Sequence, residues 1–231
     1  MTVRPSRAAA ICDLEVLMGY KLAIFDLDGT ILDTVGQLAV SFNEAMKMSG
    51  LEPLDVDIVK QRIGRGAINL VRACVGDIEE EKVMKIVQDY RDHYREHCTE
   101  NTLPYDGIAQ VFSELRAAGI KVAVVTNKSD APANILCDAK FPGLINKVKG
   151  HREGLKHKPD PFLVNELLSE FKISPDEAVF IGDSDVDILT AQNAGIDPVS
   201  VTWGYKSREF LISCGARRLA DAPNELPGMI I

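Results

Sequence analysis

Short apolar runs separate longer amphipathic segments along much of the chain. Residues 22–25 (LAIF), 121–126 (KVAVVT) and 178–182 (AVFIG) are nearly continuous apolar runs. Such runs are typical of strands that are buried on both faces of a parallel sheet. Weaker runs at 147–149 and 197–202 predict two further strands.

Apolar residues recur at helical spacing between these runs. They predict helices over 107–118, 130–139, 159–171 and 185–194. Strands that alternate with helices indicate right-handed βαβ units, so we expect an α/β fold with a doubly wound, Rossmann-like parallel sheet. After Ser207 the pattern predicts a terminal helix and a short tail.

Residues 35–102 show no strand-like alternation. Helical spacing there predicts four helices, at about 35–49, 55–63, 67–75 and 79–98. An all-helical block, 35–102, is therefore inserted between the first strand and the rest of the α/β core, which comprises 18–34 and 103–231. Residues 1–17 precede Met18 and the first strand. We expect them to be either a loose extension or residues added by a translation start upstream of Met18.

Composition narrows the possible classes of protein. The 231 residues are 46% hydrophobic and 26% charged, which fits one large globular domain or one domain with an insertion. A formal net charge of −8 argues against nucleic acid or an anionic membrane as a partner. The five cysteines are scattered and form no CxxC pair, which predicts reduced thiols in a cytoplasmic protein.

Polar residues follow several predicted strands at the points where the strands end. In doubly wound sheets ligands bind beyond the carboxyl ends of the strands, so these residues are candidates for a functional site. The first strand is followed by Asp26, Asp28 and Gly29, the next by Thr126 and Asn127, and the AVFIG strand by Asp183 and Asp187, while Lys158 precedes a predicted helix.

The carboxylates point to a metal. Asp26 and Asp28 share one face of an extended chain, and two carboxylates this close need a cation or a shared proton between them. With Asp183 and Asp187 they form an all-oxygen set, which suits Mg²⁺. A calcium loop starting at Asp183 is excluded, because its sixth position is Ile188 where glycine is needed. The structural alternative is that these aspartates cap helices and turns.

A metal held by carboxylates usually meets a phosphate. Lys158, the Thr126 hydroxyl and backbone N–H groups near Asn127 and Gly29 could hold phosphate oxygens. A free carboxylate can attack phosphorus to give an aspartyl-phosphate, and a second carboxylate can serve as acid and base. Taken singly, Lys158 could instead be a solvated surface lysine and Thr126 a strand-end hydroxyl.

The motifs FDLDGT, TN, KP and GDSxxD occur in this order between residues 22 and 202. In this order and at these spacings they resemble the haloacid dehalogenase-like phosphatase superfamily. The resemblance implies a mobile cap formed by 35–102. It also implies Asp26 as nucleophile, Asp28 as general acid and base, Thr126 with Asn127 as phosphate binders, Lys158 as stabilising cation, and Mg²⁺ held by Asp26, the Asp28 backbone carbonyl and Asp183, with Asp187 in support.

A narrower resemblance concerns the substrate. The segment 62–67 (RIGRGA) is similar to the IGxGA loop of phosphoglycolate phosphatases, as are VTNK at 125–128 and the later Trp203-Gly204-Tyr205. The usual loop carries a neutral polar residue where this chain has Arg65. We hypothesise that Arg65 meets a carboxylate or second phosphate of the substrate; the alternative is a solvated arginine on a turn.

The sequence thus predicts a cytoplasmic, Mg²⁺-dependent phosphatase that resembles phosphoglycolate phosphatases and acts on a small phosphorylated metabolite. We expect a monomer or homodimer with neither nucleic acid nor membrane as a partner. A pyrophosphatase or a phosphosugar mutase on the same scaffold stays open as an alternative. A non-catalytic sensor of phosphorylated ligands is a further alternative, although every motif is complete.

Overall fold

The computed structural model describes residues 19–231, so the predicted N-terminal extension lies outside the described residues. Six strands form one parallel sheet in the order β5-β4-β1-β6-β7-β8, and the short β2 and β3 pair antiparallel beside it. The predicted doubly wound α/β fold is confirmed. The strands are β1 (Leu22–Phe25), β2 (Leu32–Asp33), β3 (Leu103–Pro104), β4 (Lys121–Ser129), β5 (Lys147–His151), β6 (Ala178–Gly182), β7 (Asp197–Val201) and β8 (Leu219–Ala220).

Helices cover both faces of this sheet and fill the interval between β2 and β3. They are α1 (Val35–Met48), α2 (Val56–Lys60), α3 (Ala67–Val75), α4 (Glu80–His97), α5 (Ile108–Ala117), α6 (Asp130–Lys140), α7 (Phe162–Phe171), α8 (Asp185–Ala194), α9 (Arg208–Ser213) and α10 (Leu226–Ile230). None of the helices in this part of the chain combines the length and the apolar character that crossing a bilayer requires.

The two faces of β1 bury different residues. Ala23 and Phe25 pack into a core shared with α5, α6 and α10, where the Phe25 and Phe112 rings meet edge to face at 5.0 Å. Leu22 and Ile24 pack on the opposite side with apolar residues of α7 and α8. The alternation of side chains along the strand therefore explains why an unbroken apolar run suits this position.

The four helices between β2 and β3 pack on one another. Phe42 of α1 meets Tyr90 of α4 edge to face, with ring centroids 6.3 Å apart. Leu32 pairs with Pro104 across β2 and β3, so the chain leaves and re-enters the α/β core at one place. The apolar core of these helices is continuous with the core on the α5 face of the sheet.

Several regions differ from the sequence predictions. The strand predicted over 121–126 runs on to Ser129, and the short strands β2 and β3 were not predicted. The helix predicted from residue 159 begins at Phe162, because Asp160 precedes a proline, which disfavours helical dihedrals. The Asp160 carboxylate instead accepts from the Phe162 N–H at 3.0 Å. After Ser207 the chain forms α9, the edge strand β8 and α10 rather than one helix and a tail.

Candidate active site

β1 and β6 end side by side, and β4 runs past them to Ser129, so the residues that follow β1 and β6 meet Thr126 and Asn127 within β4. Phe25 at the end of β1 is in register with Val124 of β4 and Ile181 of β6. The Asp26 N–H donates to the Ile181 carbonyl at 2.8 Å, which continues the ladder by one residue. The Asp26 side chain therefore emerges between the ends of β4 and β6.

Lys158 lies at the centre of the carboxylates. Its Nζ is 2.8 Å from Asp26 Oδ1 and 2.7 Å from Asp187 Oδ1, and it donates to the Val125 carbonyl at 3.1 Å. The side chain is only 3% exposed, so it is not the solvated surface lysine of the structural alternative. Apart from this ammonium, Asp26 Oδ1 has no neighbouring donor among residues 19–231.

Asp183 is held by the chain segments that surround it. Its Oδ2 accepts from the Tyr205 N–H at 2.7 Å, and its Oδ1 accepts from the Thr30 hydroxyl at 3.2 Å. A Cβ at Gly29 would lie 2.5 Å from Asp183 Oδ2, and one at Gly204 would lie 2.4 Å from the Asp183 Cβ. These two glycines therefore allow two backbone segments to approach one buried carboxylate.

Asp187 serves two neighbours at once. Its Oδ1 accepts from Lys158, and its Oδ2 accepts from the N–H and the hydroxyl of Ser184 at 3.1 and 2.6 Å. Both oxygens are engaged, so the carboxylate orients Lys158 and closes the first turn of α8.

Asp28 points away from the other three carboxylates. Its Oδ1 is 2.9 Å from Lys128 Nζ and accepts from the Thr34 hydroxyl at 2.6 Å. The Thr34 hydroxyl in turn lies 3.1 Å from the Tyr205 hydroxyl. The Asp28 side chain is thus held by Lys128 and Thr34 and is not part of the group formed by Asp26, Asp183 and Asp187.

Thr126 and Asn127 play different parts. Thr126 is buried at the cavity floor, and its hydroxyl has no acceptor among residues 19–231, so it can donate to a ligand. Asn127 Oδ1 accepts from the Lys158 N–H at 2.7 Å, and its Nδ2 donates to the Lys158 and Gly64 carbonyls at 3.2 and 2.9 Å. Asn127 thus fixes the backbone of the central lysine.

Burial and crowding shift the proton equilibria of these groups. Burial raises the pKa of Asp26 to about 7, against the opposing charge of Lys158 and with support from Asp187. Burial and the charges of Asp187 and Asp26 raise the pKa of Asp183 to about 8. Burial alone would lower the pKa of Lys158, but Asp187 and Asp26 raise it above its ordinary value. Lys158 is therefore protonated. The carboxylates of Asp26 and Asp183, in contrast, have too little positive charge near them to balance their own negative charge.

This imbalance fits a divalent cation. Carboxylate oxygens of Asp26, Asp183 and Asp187 lie within 4.8 Å of one another. Among residues 19–231, Lys158 is the one cationic side chain that contacts them. Asp26 Oδ1 is buried and has the Lys158 ammonium as its one neighbouring donor among residues 19–231, which leaves it a lone pair that such a cation would use. An all-oxygen donor set is the kind that Mg²⁺ prefers.

Arg65 lies outside the cavity that borders the site. Its guanidinium is 2.6 Å from Asp185 Oδ2 at the start of α8, and its side chain is 61% exposed. The residues on either side of it, Gly64 and Gly66, do line the cavity. The hypothesis that Arg65 meets the substrate stays a prediction, and the structure shows an ion pair between the helical block and the core.

Sequence reasoning missed three side chains at the site. Lys128 could have been identified from the sequence, because it directly follows the candidate phosphate binders Thr126 and Asn127. Tyr205 was noted for its resemblance alone, yet its N–H binds Asp183 and its hydroxyl lies beside Thr34. Arg91 lines the cavity from α4, and nothing in the sequence distinguishes it from Arg95, the other arginine of that helix.

Comparisons with known proteins agree with this geometry. The family model of the haloacid dehalogenase-like hydrolases matches residues 23–201. A phosphoglycolate phosphatase from Psychrobacter arcticus is 34% identical over 81% of this chain and 86% of its own. An N-acetylmuramic acid 6-phosphate phosphatase from Pseudomonas aeruginosa is 31% identical over 90% of this chain and 94% of its own.

A solved structure gives the same result. A protein from Lactobacillus delbrueckii subsp. bulgaricus, provisionally assigned as a phosphoglycolate phosphatase, superposes with a TM-score of 0.87 at 30% identity, over 92% of this chain and 99% of that one. The predicted family and subgroup are confirmed. The chain belongs to the haloacid dehalogenase-like hydrolases, as a phosphatase of the phosphoglycolate phosphatase-like subgroup.

Proposed function

We propose that the chain hydrolyses small phosphate monoesters, with Asp26 as the nucleophile and Mg²⁺ as the cofactor. The observation that carries this proposal is the placement of Asp26, which lines the cavity while its Oδ1 is buried 2.8 Å from the Lys158 ammonium. One oxygen held in this way leaves the other carboxylate oxygen for an in-line attack on phosphorus.

The reaction proceeds in two displacements. In the first, an Asp26 oxygen forms a bond to phosphorus, the bond to the ester oxygen breaks, and Asp28 gives its proton to the leaving alkoxide. In the second, the Asp28 carboxylate takes a proton from water, whose oxygen attacks phosphorus and breaks the bond to Asp26. Lys158 and the Thr126 hydroxyl hold the phosphoryl oxygens in both steps.

Asp26, Asp183 and the Asp28 carbonyl would hold the Mg²⁺. When bound, the ion neutralises negative charge on the phosphoryl group and on the carboxylates. Asp187 supports the site through Lys158 and Ser184, since both of its oxygens are already engaged.

The helical block 35–102 acts as a cap over this site. Three contacts join it to the core beside the cavity: the Gly64 carbonyl accepts from Asn127, the Tyr94 hydroxyl from Lys128, and Arg65 pairs with Asp185. A cap in this position excludes water from the aspartyl-phosphate until the leaving group has departed. The β2–β3 pair, where the chain crosses between the two parts, is the place for a hinge.

Phosphoglycolate is the first candidate substrate, because several relatives of similar length carry that activity in their names. The cavity also favours a second candidate. The cavity has a volume of about 320 Å³, which lies at the lower end of the range for small-molecule sites. A cavity of this volume can also hold a substrate larger than phosphoglycolate. A phosphorylated sugar acid, the kind of substrate named for the Pseudomonas aeruginosa relative, is therefore the second candidate.

A cytoplasmic location and a small-molecule substrate complete the proposal. The free thiols of Cys74, Cys98, Cys137 and Cys214 support a reducing compartment. The formal charge of −8 supports the absence of nucleic acid as a partner, and a monomer or homodimer remains our expectation.

Phosphate release from a panel of esters tests this function. The panel contains phosphoglycolate, phosphorylated sugars and sugar acids, nucleoside monophosphates and pyrophosphate, each with Mg²⁺ and with a chelator. We expect Mg²⁺-dependent turnover of monoesters, which the chelator stops and added Mg²⁺ restores. Turnover of pyrophosphate alone, or of nothing, would contradict the proposed function.

A further inference from the structure

The roof of the cavity carries a cationic side chain that the proposed reaction does not use. The cavity lies between α4 and the strand ends, and Asp26 and Thr126 contribute to the side nearest the nucleophile. From α4, Arg91 and Tyr94 line it on the other side. A bound phosphate monoester would thus place its phosphate beside Asp26 and its other end beneath α4.

Arg91 has hydrogen-bond donors without partners. Its Nε is buried and has no acceptor among residues 19–231, and no carboxylate in this part of the chain lies within ion-pair distance of its guanidinium. A buried donor that lacks an acceptor costs free energy, so such groups usually have a partner in the working state of a protein. Arg95, which also lines the cavity, forms an ion pair with Asp92. Arg65, which lies outside the cavity, forms an ion pair with Asp185.

The side chains around Arg91 supply no negative charge to it. The rings of His151 and His157 stack at 3.7 Å and line the same cavity, and the Arg91 charge acts on His157. The three carboxylates that line the cavity contact other cationic side chains, Asp26 the Lys158 ammonium, Asp28 the Lys128 ammonium and Asp92 the Arg95 guanidinium, and none of them reaches Arg91. Among the described residues, none supplies the missing negative charge, so a ligand is the remaining source.

We propose that Arg91 is the specificity-determining residue that binds the second anionic group of the substrate, the carboxylate of an ester such as phosphoglycolate or the second phosphate of a bisphosphate. The planar guanidinium binds either group through two parallel hydrogen bonds. This inference rests on the proposed phosphatase function and assigns its specificity to Arg91 of α4 rather than to Arg65.

Matched pairs of esters test the proposal. Each pair differs only in a carboxylate that replaces a CH₂OH group: phosphoglycolate against hydroxyethyl phosphate, and phosphoglycerate against glycerol phosphate. A bisphosphate against the corresponding monophosphate separates the two anions. For the wild type we expect a kcat/KM at least about tenfold higher for the anionic member of a pair, as one charge-assisted hydrogen bond supplies.

Arg91→Gln removes the charge and keeps most of the side-chain length. We expect its kcat/KM for anionic esters to fall by about 10- to 100-fold, with the neutral esters changed by less than about threefold. Arg91→Lys should restore part of the preference, since it keeps the charge and loses the fork. Arg72→Gln is the control, since it removes the same charge from an exposed arginine of the helical block that pairs with Glu80.

The outcomes distinguish a failure of the role proposed for Arg91 from a failure of the proposed phosphatase function. If wild type and Arg91→Gln hydrolyse neutral esters equally well and share one anion preference, the role of Arg91 is wrong while the phosphatase function stands. If the wild type hydrolyses no ester, the proposed function itself fails. Melting temperatures show whether each variant is folded, and Arg91→Lys provides the same comparison should the glutamine variant not fold.

Discussion

Lys128 joins Asp28 to the helical block. Its Nζ lies 2.9 Å from Asp28 Oδ1 and 2.9 Å from the Tyr94 hydroxyl, and its side chain is only 5% exposed. One buried ammonium therefore contacts both the proposed acid–base carboxylate and the helix that covers the cavity. The position of the cap and the orientation of Asp28 are linked through this residue.

Lys128→Met should reduce kcat about 10- to 100-fold, because Asp28 loses the group that orients it for proton transfer. Tyr94→Phe removes only the cap contact, so its effect should stay below about fivefold. Steady-state kinetics with a monoester substrate measures both variants. Lys85→Met, which removes a 59% exposed lysine of α4, is the control. Equal kinetics for Lys128→Met and this control would exclude the link.

Gly29→Ala should abolish most activity. Gly29 has a φ of +84°, and a Cβ there would lie 2.5 Å from Asp183 Oδ2, so the new methyl group would displace a carboxylate of the proposed metal site. Gly119→Ala is a matched control, since Gly119 has a φ of +82° and nothing within 4 Å of its Cβ position. The control should lose only about 1 kcal/mol of stability. Comparable activity in the two variants would show that the close approach is unimportant.

Asp26→Asn should stop turnover and also stabilise the metal-free protein. The carboxylate that it removes lies in a cluster of three, with a single lysine as the contacting cation. Loss of one repelling charge should raise the melting temperature in chelator by a few degrees, about 2–4 °C per kcal/mol for a chain of this size. The same variant should gain less than the wild type from added Mg²⁺. A lower melting temperature than wild type in chelator would contradict the crowding of charge.

His157 should make the protein sensitive to acid. Burial, with the charges of His151 and Arg91, lowers the pKa of His157 from 6.5 to about 4. The folded state therefore keeps this ring neutral while the unfolded chain takes up a proton below pH 6.5. Its contribution to stability is complete above that pH and is lost as the pH falls towards about 4.

Chemical denaturation near pH 5 and near pH 8 measures this loss. His157→Gln should reduce the difference in the free energy of unfolding between the two conditions. His97→Gln, in which the replaced ring pairs with Glu100 on the surface, provides the comparison. An unchanged pH dependence in His157→Gln would mean that the ring titrates alike in the folded and unfolded chain.

The α/β core was predictable because its strands are buried on both faces. Apolar runs at β1, β4 and β6 leave little choice of structure, and the polar residues that follow them must meet at one edge. The two-residue strand β8 escaped prediction because a segment that short has no period. The start of α7 was misplaced because Pro159 was assigned to the first turn, whereas a second proline, Pro161, delays the helix.

The FDLDGT and GDSxxD motifs predicted which carboxylates come together, but they did not indicate which arginine lines the cavity without a partner. Arg65 lies in a loop that resembles the IGxGA motif, and for this reason the sequence analysis assigned it to substrate binding. In the structure its guanidinium forms an ion pair with Asp185. Arg91 lies on a helix whose rotation and placement over the sheet depend on packing with α1 and α3. Both Arg91 and Arg95 of this helix line the cavity, but Arg95 pairs with Asp92, so which arginine is left for a ligand is a property of the tertiary structure.

Trapping of the phosphorylated enzyme tests the central claim most directly. Enzyme is mixed with a substrate carrying a labelled phosphate and Mg²⁺, quenched in acid within the first turnover, and examined for label on the protein. We predict label on the peptide that contains Asp26, removable by hydroxylamine, and none in Asp26→Asn. Release of labelled phosphate in the first turnover without any labelled protein, together with wild-type turnover in Asp26→Asn, would contradict the mechanism.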